Sequence, residues 1–545
     1  MKLRSHLGRV ALATVLAGAG AVSALGVVGT SGATAVSTHA TGHVLLVGTF
    51  KGHKGQYTSI QAAVNAAKPG DWILVAPGDF HESADYTTPP SGDQLRQGGF
   101  GSVLITTPGV HLRGMDRNKV IVDGTKSTST SACSSSPALQ QYGPVVGGSP
   151  IGRNGIVVFK ANNVSIENLT VCNFQSGGGD SGNGIWWNGG AGTGLIGLTG
   201  YNGAFLNATT TFFGGDQTAS TYGIFSSDAA GPATWTSIYA NNQDDSGMYV
   251  GACQQACNIT INKAWMENSA LGYSGTNSGG AIVIEYSKFD NNEDGLDTNS
   301  AVSGDPPGPQ NGACPGNKIS PITHTHSCWV VMHSIFDHNN NINTPRAGSA
   351  AAGPTGTGMT LSGGKNDTVM YNTFTNNGAW GLLLVPYPSF GTPSNGQTCH
   401  GVGGAQVSGL GCLIDTKNDA VLHNTFKGNG FFKNPSNSDL GQITFFGSEP
   451  QNCYVANTAP DGVVPSNLAT LTKCGGITKA AVIPGDLVNQ VLCDTGYGAC
   501  PAGANYPKPT GVILKPLPTK LLPTMPNPCV GVPSNAWCLS GKPVG

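Results

Sequence analysis

The chain has 545 residues, of which 81 are Gly, and charged residues make up only 10%. Lys+Arg 27 and Asp+Glu 29 give a formal net charge of −2, so the chain lacks the basic surface with which proteins hold nucleic acid through counterion release. The Gly content excludes a helical bundle, and 39% hydrophobic residues without dense charge runs exclude a wholly disordered chain.

The N-terminal segment has the three parts of a secretory signal peptide. Basic residues within 1–9 precede an apolar run over 10–29, and residues 33–35 offer a small-residue cleavage site. We therefore expect a signal peptide over residues 1–35, a secreted, extracellular protein, and no membrane contact after cleavage. A retained membrane anchor is the alternative, because about twenty apolar residues can also span a bilayer.

A short amphipathic helix is predicted next. Ile60, Ala63, Val64 and Ala67 stand at i, i+3, i+4 and i+7, which places them on one helical face. The apolar run over residues 72–76 that follows predicts the first buried strand.

The middle of the chain repeats a short apolar segment at a nearly fixed period. The steps from Gly184 to Gly203 and from Gly358 to Gly381 span 19 and 23 residues, and a period of about two dozen residues is typical of a solenoid. Alternating apolar and polar residues, as at 259–261, predict strands, and aromatic-x-x-Asn runs, as at 336–339, predict Asn turns between them. Strands repeated once per coil must stack in parallel, which predicts an all-β, right-handed parallel β-helix with Asn ladders at its corners.

The cysteines indicate a disulfide framework. All 14 lie beyond the signal segment, and no zinc-type CxxC pairs are present. Order along the chain suggests the couples Cys133/Cys172, Cys253/Cys257, Cys314/Cys328, Cys399/Cys412, Cys453/Cys474, Cys493/Cys500 and Cys529/Cys538.

Residues 57–64 and 68–78 resemble the start of the pectin-lyase-like parallel β-helix superfamily. The resemblance implies that the predicted helix caps the N-terminal end of the solenoid, and it covers roughly residues 44–450. We accordingly expect the β-helix over 36–448 and a Pro/Cys-rich C-terminal extension over 449–545. The extension is interpreted as a wrap along the solenoid or a disulfide-tied cap, with a wall-binding module as the alternative.

One acidic cluster is the main candidate for chemistry. Glu293, Asp294 and Asp297 concentrate three carboxylates in a chain where charge is scarce, and Gly295 lets the backbone turn closely behind them. Carboxylates from a tight turn suit Ca²⁺, which takes six to eight oxygen ligands. The alternatives are a solvated turn or an ion that only rigidifies the solenoid.

The same segment is similar to the acidic motif of the ninth polysaccharide lyase family, the calcium-dependent pectate lyases. The resemblance implies calcium at Glu293, Asp294 and Asp297, and removal of the C5 proton of a uronate by a basic side chain. Where that family carries its lysine, this chain has Thr360, and Lys365 five residues later becomes the candidate catalytic base.

Four aromatic residues are candidates for substrate binding, since ring faces suit the apolar side of sugars: Trp186, Trp187, Tyr249 and Trp380. Ordinary core packing is the alternative for each of them.

Three functions remain open at this point. The first is a secreted polysaccharide lyase that uses Ca²⁺ for β-elimination of a uronate polymer, and the second is a uronate C5-epimerase with the same proton abstraction. The third is a non-catalytic surface or carbohydrate-binding solenoid. All three take a polysaccharide as the partner, and we expect a monomer.

Overall fold

The computed structural model describes residues 42–83, 101–177, 181–190, 195–215, 218–253, 256–303, 307–347, 352–394, 396–445, 452–475 and 485–545. The chain divides into two units, Met1–Ala40 and Thr41–Gly545, and the described residues all belong to the second. The predicted signal peptide therefore lies outside the described residues. Among those residues, no helix has the length and apolar character needed to cross a membrane.

Most coils contribute three strands, and these strands build three faces. Faces 1 and 2 together form a 20-stranded sheet, and face 3 is a separate 11-stranded sheet. Face 1 comprises Val44–Val47, Trp72–Val75, His111–Gly114, Val164–Cys172, Leu198–Thr209, Ala229–Thr236, Ile259–Asn262, Ile282–Glu285, Trp329–Met332, Asp367–Met370, Ala420–Leu422 and Cys453–Val455. Face 2 comprises Gly78–Phe80, Val120–Asp123, Tyr239–Asn241, Trp265–Glu267, Lys288–Asp290, Ile335–Asp337, Thr373–Thr375 and Thr425–Lys427, together with the far ends of the two longest face 1 strands.

Face 3 carries the candidate site. Its strands are Gly101–Ile105, Asn154–Phe159, Ile185–Asn188, Tyr222–Ser227, Ser246–Gly251, Leu271–Thr276, Asp294–Asn299, Thr357–Ser362, Trp380–Val385, Ser438–Gln442 and Val463–Val464. Every strand of the three faces pairs in parallel with the equivalent strand of the next coil, as between Asp294–Asn299 and Thr357–Ser362. The fold is thus the predicted right-handed parallel β-helix.

Small antiparallel pairs decorate the coils: Thr49–Phe50 with His53–Lys54, Val145–Val146 with Ser149–Pro150, Cys538–Leu539 with Lys542–Pro543, and a three-stranded sheet of Tyr387–Ser389, Gly411–Ile414 and Ala405–Val407. Single turns of 3-10 helix occur at Pro137–Leu139, Pro315–Asn317, Ser466–Thr470 and Thr519–Leu521.

The core is built by stacking identical side chains along the helix axis. Phe289, Phe336, Phe374 and Phe426 form one column with successive ring centroids 4.8 Å apart, which is the spacing of neighbouring strands. All four rings are buried. The aromatic positions of the repeat are therefore inward-facing core positions.

The predicted Asn ladder is confirmed at the corner that follows face 2. The Asn292, Asn339 and Asn377 amides each donate to the side-chain oxygen of the next Asn, ending at Asn429, over 2.9 to 3.3 Å. The residues just before them, such as Asn291 and Asn376, have φ of 55°, a left-handed conformation that Asn tolerates. The ladder satisfies buried polar groups that a tight corner would otherwise leave without partners.

The N-terminal helix, α1 (Ile60–Ala66), is also confirmed. The Ser59 side chain caps it by accepting from the Ala62 N–H, and Ile60, Ala63 and Val64 are buried in the core. The Glu82 carboxylate accepts from the Ile60 N–H at 2.6 Å, so a negative charge stands at the helix N-terminus, where it is stabilising. Ala67 ends the helix instead of continuing it.

All seven predicted disulfides are present: Cys133–Cys172, Cys253–Cys257, Cys314–Cys328, Cys399–Cys412, Cys453–Cys474, Cys493–Cys500 and Cys529–Cys538. Seven disulfides fit an oxidising compartment, extracellular or periplasmic.

The C-terminal residues pack along the coils. Face 3 pairing continues to Val463–Val464, and helix α2 (Gly485–Asp494) follows. Farther on, the Lys515 carbonyl accepts from Asn242 at 2.8 Å, and the Trp537 Nε1 donates to the His53 carbonyl at 2.8 Å. The last residues of the chain therefore contact the first coils. The boundary expected at 448/449 stays a prediction.

Candidate functional site

A row of outward side chains crosses face 3. Parallel register aligns Trp186, Phe225, Tyr249, Ser274, Asp297 and Thr360 on successive strands. Because side chains alternate along a strand, their neighbours Trp187, Tyr273 and Leu296 point inward and belong to the core. The row changes from aromatic to polar at Ser274.

A cleft of about 360 Å³ lies over the polar part of this row. Its floor includes Asp245, Ser274, Asp297, Thr360 and Ser362 from face 3. One wall comes from the three-stranded sheet, with Tyr387, Pro388, Ser389, Leu413 and Phe390, and another from α2 and the residues after it, with Val488, Val491, Leu492, Thr495 and Tyr497. The volume falls in the usual range of ligand pockets, roughly 300–1,000 Å³.

Asp297 is the central acidic group of the cleft. Its Oδ1 accepts from the Ser362 hydroxyl at 2.8 Å. Burial raises the pKa of Asp297 to about 7 despite this hydrogen bond, and the charge of Asp245 adds to the rise. Asp297 is therefore largely protonated in mildly acidic solution and can donate a proton there.

Asp245 is the second acidic group of the cleft. Its oxygens accept from the Ser246 hydroxyl at 3.0 Å and the Tyr222 hydroxyl at 3.2 Å. Burial raises the pKa of Asp245 to about 6, against the effect of these hydroxyls and of Ser274. The Ser274 and Ser246 hydroxyls lie 2.7 Å apart and link the strands between the two carboxyl groups.

Asp294 lies beneath Asp297 and is fully engaged. Thr360 donates to its Oδ2 at 2.6 Å and the Leu296 N–H donates to its Oδ1 at 3.1 Å. Burial, and then the neighbouring Asp297, raises the pKa of Asp294 well above its usual range. The Asp294 carboxyl group therefore orients Thr360 and does not itself line the cleft.

Glu293 belongs to a different environment. Its carboxylate pairs with Arg346 at 3.0 Å and accepts from the Thr355 hydroxyl at 2.8 Å. Burial nevertheless raises the pKa of Glu293 to about 8, and Asp494 at the end of α2 has a pKa raised by burial and then by Glu293. Arg346 and Thr355 interact with both Glu293 and Asp494 and so connect strand Asp294–Asn299 to α2.

This arrangement bears on the predicted calcium site. Glu293 is directed to Arg346, and the three carboxylates do not bring one ligand atom each within 4.8 Å of one another. Asp297 and Asp245 are the carboxylates that line the cleft. Calcium binding by Glu293, Asp294 and Asp297 stays a prediction, and an ion held by the two cleft carboxylates would need substrate and water to complete the six to eight oxygens that Ca²⁺ takes.

Lys365, the predicted base, lies in the turn after strand Thr357–Ser362. Its backbone pairs with Lys417 of the next coil, and its side chain is not among the cleft-lining residues. The sequence placed it near Thr360, but the chain turns at Gly363 and Gly364 onto face 1 before reaching it. Its catalytic role stays a prediction.

The four aromatic candidates separate into different environments. Tyr249 lines the cleft. Trp186 points outward but is covered, with its ring stacked on Phe225 at 4.8 Å. Trp187 lies in the core beside Trp235, and Trp380 supports α2 from beneath; both have 0% exposure, so a polysaccharide cannot reach their rings. Trp187 and Trp380 are core residues here, as the packing alternative anticipated.

Several cleft residues escaped sequence reasoning. Asp245 immediately precedes the strand Ser246–Gly251, two strands from that of Asp297, and its charge acts on Asp297. Phe390 and Tyr497 are exposed and form a ring pair 5.9 Å apart at the cleft, although 107 positions separate them along the chain (497 − 390). The only local signal for Asp245 was its place before a Gly-x-aromatic strand.

The raised pKa values predict how stability depends on pH. The folded state binds more protons than the unfolded state wherever a carboxyl pKa is raised on folding, so the free energy of unfolding falls as pH rises through that window. For Asp245 and Asp297 the window runs from the usual value of 3.8 to about 6 and about 7. Urea unfolding at pH 4.5 and 7.5 should give lower stability at pH 7.5, with a smaller drop in Asp297→Asn. An equal or larger drop in that variant would contradict the assignment.

Comparisons with known proteins give structural likenesses only. No protein-family model and no curated protein matches the chain. The A-module of the Azotobacter vinelandii mannuronan C-5 epimerase AlgE6 is similar at 14% identity and TM-score 0.43, over 75% of this chain and 93% of that chain. An alginate lyase from Paenibacillus sp. str. FPU-7 is similar at 12% identity and TM-score 0.36, over 80% and 99%. Pectate lyase Pel9A is similar at 12% identity and TM-score 0.34, over 82% and 91%. Likenesses this distant carry no argument about activity, which has to come from the site.

Proposed function

We propose that this protein is a secreted polysaccharide-active enzyme whose cleft hydrolyses a glycosidic bond of an uncharged glycan. The observation that carries the proposal is the pair Asp297 and Asp245, two carboxyl groups with pKa values raised to about 7 and about 6 in one cleft. Paired carboxyl groups held in different protonation states are the requirement of glycoside hydrolysis.

The charge of the cleft supports an uncharged glycan. Among the described residues that line the cleft, none is Lys, Arg or His. An ionised uronate beside ionised Asp245 would meet a like charge, which is unfavourable in a partly buried site. Tyr249, Tyr387 and Phe390 instead offer ring faces to the apolar side of a sugar.

The two carboxyl groups take complementary roles. Protonated Asp297 gives its proton to the glycosidic oxygen as the C–O bond breaks. Ionised Asp245 takes a proton from the water that attacks the anomeric carbon, so the products are a new reducing end and a free hydroxyl. Tyr222 and Ser246 hold Asp245 by donating to both of its oxygens, and Ser362 holds Asp297. Burial raises the pKa of both groups, which keeps a carboxylic acid available as proton donor near neutral pH, and we assign that role to Asp297.

Calcium-assisted β-elimination of a uronate polymer is the second candidate. The observation that favours it is the pair of carboxyl groups on the cleft floor, because a divalent cation could join them to a uronate carboxylate, with substrate and water completing its oxygen ligands. Bound there, the ion would neutralise the uronate and acidify its C5 proton. C5-epimerisation would begin with the same proton removal.

Substrate assays of the purified protein separate these functions. New reducing ends would be measured on neutral glucans, galactans, mannans and xylans, and unsaturated products by ultraviolet absorbance on polygalacturonate and alginate, each with Ca²⁺ or with EDTA. Proton NMR of the uronate polymers would detect epimerisation. Reducing ends from a neutral glycan, unchanged by EDTA, are the expected result.

The other outcomes would overturn the hydrolysis proposal. Unsaturated products that require Ca²⁺ would establish the second candidate, and altered C5 stereochemistry without cleavage would establish an epimerase. Binding of a glycan with no product in any assay would leave a carbohydrate-binding solenoid.

A further inference from the structure

Three metal-ligating side chains meet on face 2 near the N-terminal end, away from the cleft. Asp79 lies within strand Gly78–Phe80, His81 directly follows it, and Asp123 ends the neighbouring strand Val120–Asp123. In register, Asp79 lies beside Ile121 and Phe80 beside Val122, which brings His81 next to Asp123. Phe80 and Val122 pack on the core, so their neighbours in the alternation project outward.

The hydrogen bonding of His81 fixes which nitrogen is available. Its Nδ1 lies 2.9 Å from the Thr125 carbonyl oxygen, which can only accept, so Nδ1 carries the hydrogen. In the neutral ring Nε2 then carries a lone pair, and it faces the Asp79 Oδ2 at 3.2 Å. This nitrogen and the carboxylate oxygen can therefore both donate an electron pair to one metal ion. In metal-bound histidines, the ring nitrogen that does not bind the metal usually donates a hydrogen bond, often to a backbone carbonyl.

Asp123 completes the group. It is fully buried, and its two oxygens accept from the Thr125 N–H at 2.8 Å and the Cys133 N–H at 2.6 Å. Each carboxylate oxygen keeps a second lone pair. The Cys133–Cys172 disulfide holds the loop that supplies one of these donors, so the carboxylate is fixed before any ligand arrives. Its negative charge also raises the pKa of Asp79, after burial.

We propose that Asp79, His81 and Asp123 bind a divalent transition-metal ion, for which Zn²⁺ is the probe. One ligand atom from each residue lies within 4.8 Å of the others. The His81–Asp79 distance of 3.2 Å matches the edge of a tetrahedron, about 3.3 Å for ligands at roughly 2.0–2.1 Å from zinc. Imidazole with two carboxylates suits zinc or a neighbouring transition metal better than calcium. Asp79 is partly exposed, so water can fill the fourth position.

The ion would tie two neighbouring coils together through their side chains. Such an ion would engage all three groups, whereas the contact between His81 and Asp79 joins only two of them. The site is independent of the proposed hydrolysis, because none of the three residues lines the cleft.

Zinc binding to the untagged, chelator-treated protein tests the proposal. Isothermal titration and metal content after dialysis should give one zinc per chain at this site. His81→Gln should weaken zinc binding by more than roughly 10–100-fold, the loss that follows mutation of residues that only hydrogen-bond to a metal ligand. Asp79→Asn should also weaken zinc binding, and because Asp79 is partly exposed this change should have little effect on folding. Co²⁺ in place of zinc should give a visible absorption that His81→Gln removes.

His338→Gln is the matched control, since His338 also pairs with an aspartate, Asp337, at 2.8 Å, and no third ligand joins that pair within the described coils. That variant should bind zinc like the wild type. Equal zinc affinity and stoichiometry in wild type and His81→Gln would overturn the proposal, as would wild-type protein that takes up no zinc.

Discussion

Asp297→Asn is expected to lower glycan hydrolysis by about 10²- to 10⁴-fold, the usual contribution of a general acid. Asparagine keeps an oxygen that can accept from Ser362 but has no proton to give to the leaving oxygen. The measurement is the initial rate of reducing-end release on the best neutral substrate, with circular dichroism to verify folding.

Glu285→Gln is the control for this change. Glu285 lies on face 1, outside the cleft, where it accepts from Asn262, and glutamine keeps that acceptor. Its activity should equal that of the wild type. Wild-type activity in Asp297→Asn would exclude Asp297 as the acid and with it the proposed mechanism.

The pH profile distinguishes the two carboxyl groups. The base must be ionised and the acid protonated, so activity should rise through pH 6, the value for Asp245, and fall above pH 7, the value for Asp297. Residual activity in Asp245→Asn should lose the acidic limb, and that in Asp297→Asn the alkaline limb. An exchange of these effects would reverse the roles.

Phe336→Ala is expected to destabilise the protein by about 3–5 kcal/mol, the usual cost of removing a buried phenyl ring. The ring is fully buried and is stacked on both sides, by Phe289 and Phe374 at 4.8 Å each. Its loss leaves a cavity in the middle of the column, and the neighbouring coils are too rigid to close that cavity. Urea unfolding followed by circular dichroism measures the change.

Ile335→Ala provides the comparison at the adjacent position. Ile335 is 44% exposed on the outer side of the same strand, so its truncation should cost no more than about 0.5 kcal/mol. Phe336→Leu should lie between the two. A Phe336→Ala effect as small as that of Ile335→Ala would show that the aromatic column does not carry the stability of these coils.

The C-terminal extension packs along the coils and also forms part of the candidate site. Val488, Val491 and Leu492 of α2 form a wall of the cleft, and Trp380 supports that helix from face 3. Asp494 at its end interacts with Arg346 and Thr355, which also contact Glu293, the residue next to Asp294. The cleft is therefore assembled from the solenoid and the extension together.

The repeat pattern of the sequence predicted a large part of this fold correctly. A period of about two dozen residues, strand alternation and aromatic-x-x-Asn runs suffice for a parallel β-helix, because each coil can bury its apolar side chains only against the equivalent positions of its neighbours. The repeat also predicted the Asn ladder that includes Asn339. Helical spacing of apolar residues predicted α1, and the order of the cysteines along the chain predicted the seven disulfides.

The site was decided by the tertiary structure. Glu293, Asp294 and Asp297 are neighbours in sequence, but the ion pair of Glu293 with Arg346 and the hydrogen bonds to Asp294 leave Asp297 to face the cleft, where Asp245 joins it. Trp186 and Trp187 differ by one position and point to opposite sides of a strand. Sequence alone determined the repeating coil, since its contacts recur every turn. Only the tertiary structure determined which outward side chains share a cleft, because that depends on non-repeating loops and on α2, which returns to face 3 from far along the chain.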